Sequence, residues 1–286
     1  RVVHALDMFE ELQKEVTSDP DRYGSALPEI EKQIGNIQSE FSQFVTLNSS
    51  GDPVEAAEIL DTAENHIVAL KQIVERVPEI VTALQAKLPD QLEDLESGYR
   101  KLLESGYHFT ETDIESRFQQ LHASLKNNMA NVSALELDNA IYENEQIQEE
   151  IDALYHIFTR EIESQKVVKK LVKQLPGYLK HAKDNNSKLA AEVERLGKTF
   201  VLNESFSQQL KELEAELSSQ ENVVEDALKD SSETQKAYSI VEEELEAIEA
   251  RLKEIEDEQI GLSDSLSKIE KDDANARQKV NIYANR

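Results

Sequence analysis

Apolar residues recur every three or four positions along most of the chain, and the longest such run stands near its end. From Val241 the series passes through Leu245, Ile248, Leu252, Ile255, Gln259, Leu262, Leu266, Ile269, Asp273, Ala276 and Val280 to Tyr283. Only Gln259 and Asp273 are polar. Steps of four and three held this long predict one helix of roughly 40 residues or more, with a narrow apolar seam buried against neighbouring helices along its length. At 1.5 Å per residue it would measure on the order of 60 Å, more than a compact domain needs.

Caps and breakers divide the rest. A first amphipathic helix runs from Arg1 to about Thr17 and stops at Ser18-Asp19-Pro20. A second starts at Arg22 or Leu27, reaches Val45, and ends in the loop Leu47-Asn48-Ser49-Ser50-Gly51. Asp52-Pro53 then offers an N-cap followed by proline at the first helical position, where its missing N–H costs nothing. The seam Ala63, Ile67, Leu70, Val74, Val77, Val81, Leu84, Leu88 runs directly through Pro78 and resumes, one residue out of phase, at Leu92, Leu95, Tyr99 and Leu102. One helix, bent at proline, is expected from Pro53 to about Glu104.

Beyond the loop Ser105-Gly106-Tyr107-His108-Phe109, Thr110 or Thr112 would cap a helix from about Asp113 to Asn128. A long helix from near Leu135 carries Ile147, Ile151, Leu154 and Phe158, crosses Pro176-Gly177 and ends near Lys198. Asn203 would cap a further helix with Phe206, Leu210, Leu213, Leu217, Val224 and Ala227. Lys229-Asp230-Ser231-Ser232 would turn the chain into the last one. The order short, short, long, short, long, short, long predicts an all-α, elongated chain of tandem antiparallel three-helix bundles. The third helix of one bundle would continue as the first of the next, with units at about 1–78, 79–168 and 169–286, the last helix extending past its bundle. The arrangement is similar to spectrin repeats, although those typically carry a tryptophan in their first helix and this chain has none, which argues against an actin-linked spectrin.

Composition agrees. Of 286 residues 31% are charged and only 6% aromatic, with eight Gly and six Pro, a profile of long helices rather than of sheets with many turns. With no cysteine there is no disulfide framework and no thiol metal site. No apolar run approaches the roughly 18 residues of a membrane span, and the ends at Arg1 and Arg286 are expected to be cuts within a longer chain. The net charge of −27 disfavours nucleic acid and anionic lipid as partners of the surface as a whole. Against it, Lys166, Lys169, Lys170, Lys173, Lys180, Lys183 and Lys188 gather positive charge in one stretch. They either pair with acids of neighbouring helices or form a patch for an acidic partner.

Catalytic signatures fail. The glycines are scattered and form no phosphate-cradling loop. His4, His66, His108, His122, His156 and His181 make no pair at helical metal-ligand spacing. Asp19-Pro20-Asp21-Arg22-Tyr23-Gly24 starts like a calcium loop, but Ile30 stands where the bidentate glutamate belongs, so a helix-breaking turn is expected. No catalytic, cofactor or metal residue is assigned, and no enzyme is expected.

Three stretches carry a family resemblance: Leu88-Pro89-Asp90-Gln91-Leu92-Glu93-Asp94-Leu95-Glu96-Ser97-Gly98-Tyr99-Arg100, continuing to Glu104-Ser105-Gly106-Tyr107; Val74-Glu75-Arg76-Val77-Pro78-Glu79-Ile80; and Val280-Asn281-Ile282-Tyr283-Ala284-Asn285-Arg286. They resemble the cytoplasmic region of the EzrA family of septation ring formation regulators of low-GC Gram-positive bacteria. The resemblance implies one N-terminal membrane anchor and a cytoplasmic arc of spectrin-like repeats. It also implies control of assembly of the tubulin-like division protein FtsZ, and a link from it to cell-wall synthesis at the septum. This stretch would be the middle of the arc, monomeric, with FtsZ and other divisome proteins as partners, no nucleic acid, and membrane reached only through the anchor. No binding residue of the family maps onto a matching position. The competing reading is a generic coiled-coil spacer or dimerising arm of a larger ATPase-type or cytoskeletal protein, against which the prolines and frequent loops favour folding back within one chain.

Overall fold

The computed structural model describes residues 1–229 and 235–284, and among them it is helical, with no strand. The helices are α1 (Val2–Ser18), α2 (Leu27–Ser49), α3 (Pro53–Thr82), α4 (Leu88–Glu104), α5 (Ile114–Ser133), α6 (Leu137–Gly197), α7 (Ser205–Leu228) and α8 (Tyr238–Ala284). The turn expected at Lys229-Asp230-Ser231-Ser232 lies, after Lys229, outside the described residues. The chain forms two compact units, Arg1–Lys101 with Thr112–Ile157, and Leu102–Glu111 with Phe158–Arg286.

In the first unit α3 continues through one π-helical turn, Ala83–Lys87, into α4. The Leu88 N–H donates to the Ala83 carbonyl, five residues back. A π turn takes in one extra residue, which absorbs the phase slip of the seam: Val77, Val81, Leu84, Leu88, Leu92 and Leu95 all stay buried. Pro89, with no N–H to give, stands directly after the widened turn. Pro78 lies inside α3 and the seam passes it unbroken.

Side-chain pairs fix the helix directions in this unit. Arg1 pairs with Asp61, and a Cβ added at Gly24 would meet Val81 and Gln85, so α1 and α3 run parallel. His66 meets Glu40 across the short turn between α2 and α3, which are antiparallel. Further along, Arg76 reaches Asp138 at 2.7 Å and Tyr155 reaches Asp94 at 2.7 Å, so α3–α4 runs parallel to the start of α6. Helix α5 opposes both, with the Tyr99 and Phe118 rings edge to face and Arg117 2.6 Å from Glu150. The continuous α3–α4 helix thus serves two three-helix groups, α1–α2–α3 and α4–α5–α6.

A chain of amides crosses the second group. Asn128 Nδ2 donates to the Ala140 carbonyl and to Asn144 Oδ1, Asn144 Nδ2 donates to the Ile80 carbonyl, and Asn131 Nδ2 donates to Asn128 Oδ1. Both central asparagines are buried, and each finds partners, which is what makes a polar group tolerable in an apolar seam.

In the second unit α6, α7 and α8 make one bundle around Leu175, Leu179, Leu213, Leu217, Leu245 and Ile255. Lys183 pairs with Glu221 while Asn186 donates to the Leu210 carbonyl, so α7 opposes α6. Arg160, Ala182 and Arg195 meet Glu243, Gln259 and Glu270 in order, so α8 runs parallel to α6.

Several ends differ from expectation. Helix α2 continues through Leu47-Asn48-Ser49, which leaves Ser50, Gly51 (φ +82°) and Asp52 as the turn. Asp52 caps α3 as expected, accepting from the Glu55 N–H. The cap of α5 is Asp113 rather than a threonine, its Oδ1 accepting from the Ser116 N–H at 3.0 Å. That helix passes Asn128 and runs to Ser133, because the amide chain holds Asn128 and Asn131 in helical register. Asn203 Oδ1 accepts from the Ser205 N–H at the start of α7. The seam of α8 is buried from Val241 to Leu266, half-buried at Ile269 and Asp273, and exposed at Ala276, Val280 and Tyr283. Its expected burial along the whole length therefore stops about four turns short, where no described helix lies beside it.

Candidate interaction surface

Helix α6 buries Glu161, Ser164, Val168, Leu171, Leu175, Leu179, Ala182, Asn186 and Leu189. At 100° per residue these share one face, and Lys166, Lys169, Lys170, Lys173, Lys180 and Lys188 fall on the opposite one, all exposed. Lys183 lies on the flank and pairs with Glu221 of α7. Lys166 pairs only within its own helix, with Glu163 at 3.3 Å. Lys169, Lys170, Lys173, Lys180 and Lys188 make no ion pair among the described residues. Of the two fates expected for these lysines, pairing with a neighbouring helix is met by Lys183 alone. Between Lys173 and Lys180 the outward face holds Pro176 and Gly177, and a Cβ added at Gly177 would touch nothing within 4 Å. The strip is therefore flat at its middle, with amines on both sides.

Beside it, α6, α7 and α8 enclose an open groove of about 840 Å³. Val168, Val172, Val223, Val241 and Ile248 line it with apolar surface, and Lys169 stands at its edge. The other rim charges are matched, Lys229 to Asp226 and Lys236 to Glu244, each at 3.2 Å.

The sequence reading missed one buried anion. The Glu161 carboxylate, 4% exposed, accepts from the backbone N–H groups of Tyr238 at 2.9 Å and Ser239 at 3.2 Å. A side chain of α6 thus caps α8, satisfying two of the donors that a helix N-terminus leaves free and placing negative charge at its positive end. The Tyr107 ring stands edge to face on Tyr238, centroids 5.0 Å apart, and Phe109 packs on Phe158 at 5.3 Å. Burial, with Tyr238 and Glu161 nearby, pushes the Tyr107 phenol up. The one sequence signal for this cap is a glutamate on the buried phase of α6, at the position where the apolar seam requires a hydrophobe.

No group of three potential metal ligands occurs among the described residues, and His66 and His122 are each engaged by one glutamate. The calcium-like stretch forms 3₁₀ turns, Pro20–Ala26, in which Tyr23 is fully buried and Arg22 donates to its hydroxyl. No described helix is long and apolar enough to cross a membrane.

The family model described as "Septation ring formation regulator, EzrA" matches residues 1–286. The chain belongs to the EzrA family. A septation ring formation regulator EzrA of Streptococcus sanguinis (strain SK36) is 72% identical over 286 residues, which are 100% of this chain and 50% of that protein. EzrA proteins of Streptococcus gordonii (strain Challis) and Streptococcus pneumoniae (strain ATCC 700669 / Spain 23F-1) are 63% and 58% identical over the same coverage. The chain spans about half the length of these EzrA relatives. No solved structure matches it.

Proposed function

We propose that this chain is a non-enzymatic scaffold segment that modulates assembly of the FtsZ ring at the division septum and connects it to the membrane and to cell-wall synthesis. The observation that carries this reading is the family match over all 286 residues. The fold supports it. Long helices are shared between bundles, surfaces are charged, and buried polar groups such as Glu161 and the Asn128–Asn144 amides cap and cross-link helices. Such an arrangement holds surfaces at fixed spacing, as the positioning of partners requires. The membrane anchor and the septal location belong to the whole protein, and this chain would act on its cytoplasmic side, as a monomer.

The test is pelleting of FtsZ polymers with the purified chain, followed by light scattering during assembly. Co-pelleting, or a change in the assembled fraction, is the expected result. A chain that neither pellets with FtsZ nor alters its assembly overturns the proposal for this segment.

A further inference from the structure

We propose that the outward face of α6 from Lys166 to Lys188 docks an extended acidic polypeptide segment. The stretch contains seven lysines and a single acid, Asp184, within a chain whose net charge is −27. Five of the lysines are exposed and without an ion pair among the described residues. Some of them also repel one another: Lys170 and Lys173, and likewise Lys169 and Lys173, stand three or four residues apart, where like charges destabilise a helix. Glutamates interleaved at those spacings would remove the repulsion, as they do at Lys166 and at Arg195, which pairs with Glu192. The face thus presents a set of amines matched by nothing in its own unit, and an anionic partner relieves the repulsion.

The dimensions choose the partner. The strip is about 33 Å long and one helix wide, roughly 10 Å. An extended chain of about ten residues covers that length, and its carboxylates meet amines without reaching the flanking surfaces. A bilayer or a nucleic acid duplex is far wider. Either would extend past the strip onto a chain whose net charge is −27. Screening over about 8 Å at physiological salt lets the strip act on its own surroundings and not through the net charge.

The experiment measures fluorescence anisotropy of a labelled twelve-residue peptide of alternating Glu and Ser against the full 286-residue chain. The peptide is expected to bind, and more weakly as salt rises from about 50 to about 300 mM. Lys169→Glu, Lys170→Glu and Lys173→Glu together should weaken binding by roughly tenfold or more, on the scale of three exposed charge pairs reversed, with helicity unchanged by circular dichroism. A control carrying Lys211→Glu, Lys253→Glu and Lys268→Glu makes the same change of net charge elsewhere in the unit and should leave affinity within about threefold. Equal losses in both variants, or no binding by the native chain, overturn the proposal. So does stripe-dependent pelleting with phosphatidylglycerol vesicles without peptide binding, which assigns the face to lipid. Self-association in sedimentation that the stripe variant abolishes assigns it to a second copy. None of these readouts involves FtsZ, so they stand or fall apart from the function proposed above.

Discussion

Glu161 shows how one side chain can set where a helix begins. Its two acceptors satisfy the Tyr238 and Ser239 N–H groups, and a lost N-cap typically costs about 0.5–2 kcal/mol. Glu161→Ala also empties a buried site, so a loss on the order of 2–3 kcal/mol is expected. Glu161→Gln keeps the shape and one acceptor and should lose about 1 kcal/mol. Urea denaturation followed at α8 would rank the two, and equal losses would contradict the capping role. Gly24 shows the opposite economy, where any side chain is too much. Its φ of +51° lies where L-residues are strained, and a Cβ would sit 2.6 Å from Gln85 Nε2 and 2.9 Å from Val81 Cγ1. Gly24→Ala should therefore destabilise the first unit by about 2 kcal/mol or more; a variant as stable as the native chain would show that the turn relaxes freely. Tyr155 gives a pH signature. Burial, then the hydrogen bond to Asp94, pushes its phenol up to about 12 from the ordinary 10. A proton held more tightly in the folded chain stabilises it fully below pH 10, and that contribution is lost as pH rises toward 12. The stability difference between the native chain and Tyr155→Phe, measured by denaturation at stepped pH, should shrink over that window.

At the scale of elements, α8 contains its own control. Leu245 and Val280 occupy the same seam, yet Leu245 is fully buried and Val280 is 64% exposed. Leu245→Ala should cost about 2–5 kcal/mol, whereas Val280→Ala should fall within roughly 0.5 kcal/mol of native. Comparable losses at both positions in chemical denaturation would mean that the end of α8 is covered in solution. The contrast also marks what the sequence makes legible. Repeats of three and four, Asp52-Pro53 and Asn203 report local geometry, and they place the helices within a few residues. The slip between Leu84 and Leu92 is visible in the letters too, but its form, a π turn before Pro89, comes from hydrogen bonding that the pattern does not encode. Covering of a seam is non-local: nothing in Val280 itself says whether a helix lies beside it. The Glu161 cap joins residues 77 and 78 positions apart, and Gly24 is fixed by a helix met far along the chain, so the partners of neither can be read locally. The lysine face lay within reach, because Lys169, Lys173 and Lys180 run in antiphase to Leu171, Leu175 and Leu179. Which of its lysines would find a glutamate depended on α7, and only the fold supplies that.

Over the whole molecule, charge is the property that no single helix explains. Acidic residues number 58 against 31 Lys and Arg, and most ion pairs are exposed at both ends, as in Arg160–Glu243 with 56% and 72% of the side chains open. Such pairs contribute little and are screened by salt. The more protected Arg251 site is different, its guanidinium meeting Glu216 at 2.6 Å and also Glu254 and Glu258. The hydrogen bond from Arg251, against some desolvation, holds the Glu216 carboxyl below its ordinary value of 4.5. A carboxylate favoured in the folded state stabilises it fully above that value, and the contribution disappears as pH falls through the lowered one. The stability gap between native chain and Arg251→Met should accordingly be widest near pH 6 and narrow below pH 4.5. The balance of the other charges is tested by salt. If repulsion among the excess carboxylates outweighs the exposed pairs, screening relieves more than it removes. Raising NaCl from about 20 to about 200 mM shortens the Debye length from roughly 20 Å to about 7 Å, and Tm by calorimetry should rise. In Arg251→Met, which has lost this partly protected cluster of pairs and gained net negative charge, the rise should be larger. A fall in Tm for the native chain would show that the ion pairs, and not the repulsion, govern its stability.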